Sequence, residues 1–214
     1  LLFNRGGEML NLKKSLIMTI FMVLSANSYA VQKGDWIIRG GLTNIAPQDN
    51  TGGVVTVDDK TNLTATIAYL VTDNIGVEVL LGLPFKHNLN SGGVKVGEGT
   101  HLPPTLTAQY YFNETKSGLR PYLGVGYNYT FFLEDKITIT TGGLAGGNLK
   151  IGDSNGFAYQ LGFDLEISEC FGINLEIRRF NIENKARITN IVSPMEFNVA
   201  LDPTTIGLSL YKEF

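Results

Sequence analysis

The sequence is short of the residues that build soluble domains and enzyme sites. It has one cysteine, Cys170, so no internal disulfide framework holds it together. It has two histidines, His87 and His101, flanking one Gly-rich stretch. A metal centre usually takes three or four ligands, so this pair does not make one, and no metal or cofactor is expected. Ser91 sits between the two histidines, but nothing there holds a nucleophile rigidly against a base, so no enzyme is expected. Gly92-Gly93 and Gly142-Gly143 do not lie between a strand and a helix, which argues against a phosphate loop. Charged residues make up only 17% of the chain, against about 25% in soluble domains. The net charge of -3, with no basic run, argues against a nucleic-acid partner.

A long hydrophobic run is also missing. The longest, Leu16 to Leu24, falls well short of the roughly 20 residues that a helical span needs. Its surroundings give it another meaning. Lys13 and Lys14 precede it, and Ser28-Tyr29-Ala30 closes it with small residues at the last and third-last positions. That is the layout of a secretory signal peptide cleaved after Ala30. Met9 reads as the start, with residues 1–8 upstream of it, and residues 31–214 as the exported domain.

What the sequence does have is glycine (25), phenylalanine (12) and tyrosine (9), set in period-2 alternation. From Arg120 to Phe132, Pro121, Leu123, Val125, Tyr127, Tyr129 and Phe131 share one face. Tyr122, Gly124, Gly126, Asn128, Thr130 and Phe132 share the other. Similar alternations begin near Trp36, Asn62, Ile75, His101, Gly156, Phe171 and Thr205, giving eight strands. Most approach the 9–11 residues that a tilted strand needs to cross a bilayer. Short turns follow the second, fourth and sixth strands. Long polar loops, residues 47–61, 86–100, 133–155 and 183–196, follow the others. Short turns on one side and long loops on the other mark an outer-membrane barrel. A soluble sandwich has no reason to sort its loops. The expected fold is therefore an all-β, eight-stranded antiparallel transmembrane barrel, with apolar faces toward lipid.

The inward face then carries Arg39, Glu78, Gln109, Asn128, Gln160, Asp164, Glu166, Asn174, Glu176 and Arg178. An eight-stranded barrel is wide enough only for side chains or one small ligand. A self-satisfied polar plug is the leading reading of these residues, and a proton or ion path the other. Leu80, Tyr111, Tyr122 and Phe132 interrupt the polar face and are the candidate pocket residues.

Several runs resemble the OmpW family of small outer-membrane barrels. They are Thr72-Asp73-Asn74-Ile75-Gly76-Val77-Glu78, Pro84-Phe85-Lys86-His87, His101-Leu102-Pro103-Pro104-Thr105, Gln109-Tyr110-Tyr111-Phe112 and Arg120 to Thr130. The resemblance implies a narrow, largely hydrophobic pocket that passes small apolar molecules across the Gram-negative outer membrane, with a sideways exit through the wall. It implies a monomer among outer-membrane lipid and lipopolysaccharide, with Phe214 as the signal to the assembly machinery. Two departures stand out. Asn155 replaces a Trp usual near the pocket, which bears on ligand identity and gating. The end reads Asp202-Pro203-Thr204, then Lys212 at a usually apolar position. The alternative to uptake is a filled barrel whose outer loops serve as a receptor or adhesion surface.

Overall fold

The computed structural model describes residues 32–48, 55–112, 118–168 and 170–214. The expected export signal and the Met9 start lie outside them. The strands are β1 (Trp36–Ala46), β2 (Thr56–Val57), β3 (Lys60–Leu70), β4 (Ile75–Gly82), β5 (Phe85–Ser91), β6 (Val94–Leu102) and β7 (Thr105–Tyr111). There follow β8 (Leu119–Ile137), β9 (Asn148–Ile151), β10 (Ser154–Ser168), β11 (Phe171–Phe180), β12 (Glu183–Thr189), β13 (Met195–Ala200) and β14 (Thr204–Glu213).

Eight of these form a closed antiparallel ring: β1, β3, β4, β7, β8, β10, β11 and β14, with β14 pairing back onto β1. Trp36 and Phe214 exchange backbone hydrogen bonds of 3.0 and 2.9 Å at the closing seam. A closed ring leaves no unpaired edge, which is what a bilayer demands of strands.

Side chains in the ring face opposite to those of a soluble protein. Val125 is 56% exposed, while Asn128, three residues on, is fully buried. The same inversion holds for Leu123, Leu161 and Leu208, outside, against Glu78, Asp164 and Asn174, inside. Exposed apolar side chains on every ring strand form one belt, and its surroundings must be lipid. Aromatic residues mark its edges. Trp36 and Tyr69 pack at 4.9 Å between centroids near the termini, and Tyr129 and Phe131 at 4.7 Å on the far side. Beyond the far edge the outward residues turn charged. Glu98 of β6 bonds Lys86 at 2.8 Å and Lys136 at 3.1 Å, a collar suited to water and headgroups.

Glycines make room inside. A Cβ on Gly162 would sit 2.4 Å from the Tyr122 ring, so this position must stay bare for Tyr122 to lie across the lumen.

Much of the long connections, among the described residues, is strand rather than loop, and this corrects the reading from sequence. Residues 86–100 form the β5–β6 hairpin, turned by Gly92 and Gly93 at φ +57° and +79°. Positive φ at both central residues is the hairpin geometry that Gly-Gly supplies without strain. Within 133–155, β8 runs on to Ile137 and β9 follows; β12 and the start of β13 occupy 183–196. The expected single strand from His101 to Phe112 is two, β6 and β7, stacked end to end along β8 and separated by Pro103-Pro104. Proline lacks the N–H that a ladder needs, so pairing stops there. Above the belt, β2, β5, β6 and the outer half of β8 form one wall, and β9, β12 and β13 form a second sheet. The two share one apolar cluster that includes Val57, Leu149, Ile151, Ile188 and Val199.

Candidate functional site

The lumen at membrane depth is filled. Arg39 of β1 meets Asp164 of β10 through Nη2 at 2.8 Å and Nε at 3.1 Å, and reaches Glu78 of β4 at 3.2 Å. Arg178 of β11 meets Glu78 at 2.7 Å and Glu176 at 2.8 Å. In the ring, β4 and β11 are four places apart among eight strands, hence opposite. The Arg178–Glu78 pair therefore crosses the lumen from wall to wall. Gln109 donates to Gln160 at 3.0 Å, and Gln160 donates to Glu176 at 2.8 Å. Asn174 donates to Asp164 at 2.8 Å. At the periplasmic end, Arg120 bonds Asp164 at 3.2 Å and also Glu213. These are charge-assisted bonds in a site without bulk water, where each lost partner leaves a costly orphan.

Of the interior residues expected from sequence, Arg39, Glu78, Gln109, Gln160, Asp164, Asn174, Glu176 and Arg178 meet in this one network. Asn128 is buried nearby, donating to the Pro104 carbonyl at 3.1 Å and to Thr105 at 3.0 Å. Glu166 is not interior. It is exposed near the periplasmic end of β10, where the register with β11 shifts between Glu166 and Ser168. The four candidate pocket residues separate. Tyr111 and Tyr122 belong to the plug, since Tyr111 accepts from Arg39 at 3.0 Å and Tyr122 accepts from Asn174 at 2.9 Å. Leu80 lines a smaller void between plug and outer barrel, about 340 Å³ with its open mouth included. Phe132 lines the main cavity.

That cavity lies above the plug, between the two sheets of the outer extension. It encloses about 700 Å³ of open space, its mouth included. Val57, Val96, Leu149, Ile151, Ile188 and Val199 dominate its wall. Among the described residues, none of the lining side chains is Lys, Arg, Asp or Glu. His87 and His101 also line it, their rings stacked at 5.0 Å and 10°. Burial pushes the His87 imidazole, which stands outside the membrane belt, below its ordinary value, although the Asp58 carbonyl pulls the other way. Asn155 does not line the cavity. It is exposed on the outer face, where it accepts from the Tyr127 hydroxyl at 2.8 Å. Most cavity residues fall in segments read as loops. Asn184, Ala186 and Ile188, alternating with Lys185 and Arg187, carried the signal that could have found them.

A model of the OmpW family matches residues 32–214. The chain belongs to that family. Outer membrane protein W of Vibrio cholerae is 37% identical over 193 residues, covering 84% of this chain and 88% of that protein. The crystal structure of the outer membrane protein OprG from Pseudomonas aeruginosa superposes with a TM-score of 0.77 at 31% identity. It covers 88% of this chain and 99% of that one. A Pseudomonas aeruginosa protein named for a dibenzothiophene metabolism operon, PahQ, is 23% identical over 222 residues, covering 95% of this chain and all of that protein. This chain is thus an OmpW-type barrel of the Gram-negative outer membrane.

Two predictions test the plug and the cavity wall. Replacing Arg178 by Leu leaves Glu176 without its salt-bridge partner and Glu78 with Arg39 alone, and should cost about 3–5 kcal/mol of stability, read by urea unfolding in lipid vesicles. A loss under about 1 kcal/mol would contradict a buried ion-pair network. For His87, a depressed folded pKa means that its neutral form stabilises the fold above the ordinary histidine pKa of about 6.5, and that this contribution is lost as pH falls through the folded value. The His87 ring should therefore be more than half neutral at pH 6.5, with its titration midpoint below that value. A midpoint at or above the ordinary value would contradict the buried site.

Proposed function

We propose that this barrel takes up small hydrophobic molecules from outside the cell through the cavity above the plug. The observation that carries the reading is a chamber lined almost wholly by apolar side chains and open at its mouth, above a floor of paired charges. Apolar solutes leave water for such a chamber at a gain of about 25 cal/mol per Å² buried. They gain nothing by entering the ion-pair network below, which holds its groups to one another. Lipopolysaccharide hinders such solutes, and a protein wall shields them past it.

The route onward is sideways. The β4–β7 ladder ends at Leu80 and Thr105. Beyond it, Leu81 to Pro84 faces Pro103-Pro104, where no ladder can form. The smaller void opens at this place, against Leu80, Gly82, Phe85 and Pro103, with lipid-facing Leu81 among its lining residues. Glu176 and Arg178 also line this void, so a solute descending from the cavity meets the seam at the upper edge of the plug. The relative named for a dibenzothiophene metabolism operon fits the reading, dibenzothiophene being a planar apolar molecule.

The test is uptake of naphthalene by cells carrying the protein, the Ala186→Phe variant, or neither. Ala186 is buried in the cavity wall, and a phenyl ring there fills the chamber without touching the plug. Uptake should fall in the variant to the level of cells lacking the protein, while both forms assemble equally in the outer membrane. Equal uptake with and without the intact protein would sink the proposal.

A further inference from the structure

Two side chains in the cavity wall are polar and buried and carry atoms with no hydrogen-bond partner among the described residues. Asn184 of β12 is 8% exposed, and neither its Oδ1 nor its Nδ2 is bonded. His87 of β5 is 2% exposed, and its Nε2 is unbonded. The state of that nitrogen follows from the other one. His87 Nδ1 lies 2.6 Å from the Asp58 backbone oxygen, which only accepts. The hydrogen is therefore on Nδ1, and in the neutral ring Nε2 is a bare acceptor. Buried polar groups are nearly always bonded, so an amide and an imidazole left open on a cavity wall call for a partner from the cavity. The remaining wall is apolar, apart from the stacked His101 ring.

The partner must be uncharged. A carboxylate or ammonium would enter a chamber whose lining offers no counter-charge, and such burial is strongly unfavourable. It must also both donate and accept, because the wall offers a donor, Asn184 Nδ2, and the acceptors Asn184 Oδ1 and His87 Nε2. A hydroxyl does both.

We infer that the cavity prefers small apolar molecules bearing one uncharged hydroxyl, alcohols or phenols, over the parent hydrocarbons, with the hydroxyl seated against Asn184. His87 Nε2 is the second acceptor within the same wall. This inference rests on the uptake reading above. Sites built to hydrogen-bond a hydroxyl discriminate against analogues lacking it far better than apolar pockets discriminate by size.

The matched pair 1-naphthol and naphthalene tests it, with affinities measured by titration of the protein in nanodiscs. The intact protein and Asn184→Leu, close in volume, are compared. Naphthalene should bind both forms within about twofold, which also reports a folded cavity in the variant, whereas 1-naphthol should lose about tenfold in the variant. Asn184→Thr, which puts back a side chain able to donate and accept a hydrogen bond, should recover part of that loss. If naphthalene binds and 1-naphthol is unaffected by Asn184→Leu, the amide is served by trapped water and the inference falls, with the uptake reading intact. If neither compound binds the intact protein, the uptake reading fails and takes this inference with it.

Discussion

The ion pair between Glu78 and Arg178 sets the terms for the whole molecule. It joins opposite walls of the ring, and Arg39, Asp164 and Glu176 extend it around the lumen. Charges of this kind are tolerated inside a membrane only when they are paired and shielded. Shielding requires a wall closed on all sides, which eight strands provide. Pairing requires side chains to reach across, which the bare glycines of β8 and β10 allow. With the inside committed to charge, every outward position between the aromatic edges is free to be apolar. The lipid belt and the plug are thus two consequences of one alternation.

The same alternation changes meaning along a single strand. Within the belt, β8 buries Tyr122, Asn128 and Thr130 and shows Leu123, Val125 and Tyr127 to lipid. Past Phe132 it turns Phe132 and Ile137 toward the cavity and leaves Glu134 and Lys136 exposed. The change coincides with a shift in β6–β8 pairing between Thr100 and His101. Below that point the surroundings are lipid and the interior is polar. Above it the surroundings are water and the interior is apolar. A wall continuous across the membrane surface must make this inversion somewhere, and an apolar chamber resting on a polar floor is its product.

How much of this could be read from sequence follows from the same physics. The eight wall strands, the facing of all but the first, and eight members of the plug network were legible, because lipid on one side and paired charge on the other make period 2 loud; the first strand is partly apolar on both faces. Glu166 was misplaced, since alternation fixes a face but not where along the strand the lumen ends. Tyr111 and Tyr122 looked like pocket residues because alternation does not show where a hydroxyl finds its partner. The outer extension was hidden for another reason. Its strands expose Lys, Glu and Thr to water and are short and glycine-punctuated, so they resemble loops. Even so, Gly92-Gly93 and the run from Asn184 to Ile188 carried turn and strand signals that polarity masked.

The central claim is that an apolar solute rests above the ion-pair floor and never in it. The most direct measurement is paramagnetic broadening of backbone amide resonances by a small uncharged apolar nitroxide, with the protein in lipid nanodiscs. The account predicts that Ala186, Ile188, Val199 and Gly99 broaden, while Asn174, Gly172 and Tyr122, at or below the floor, stay sharp. Broadening centred on Tyr122 and Asn174, with the cavity wall unaffected, would contradict it.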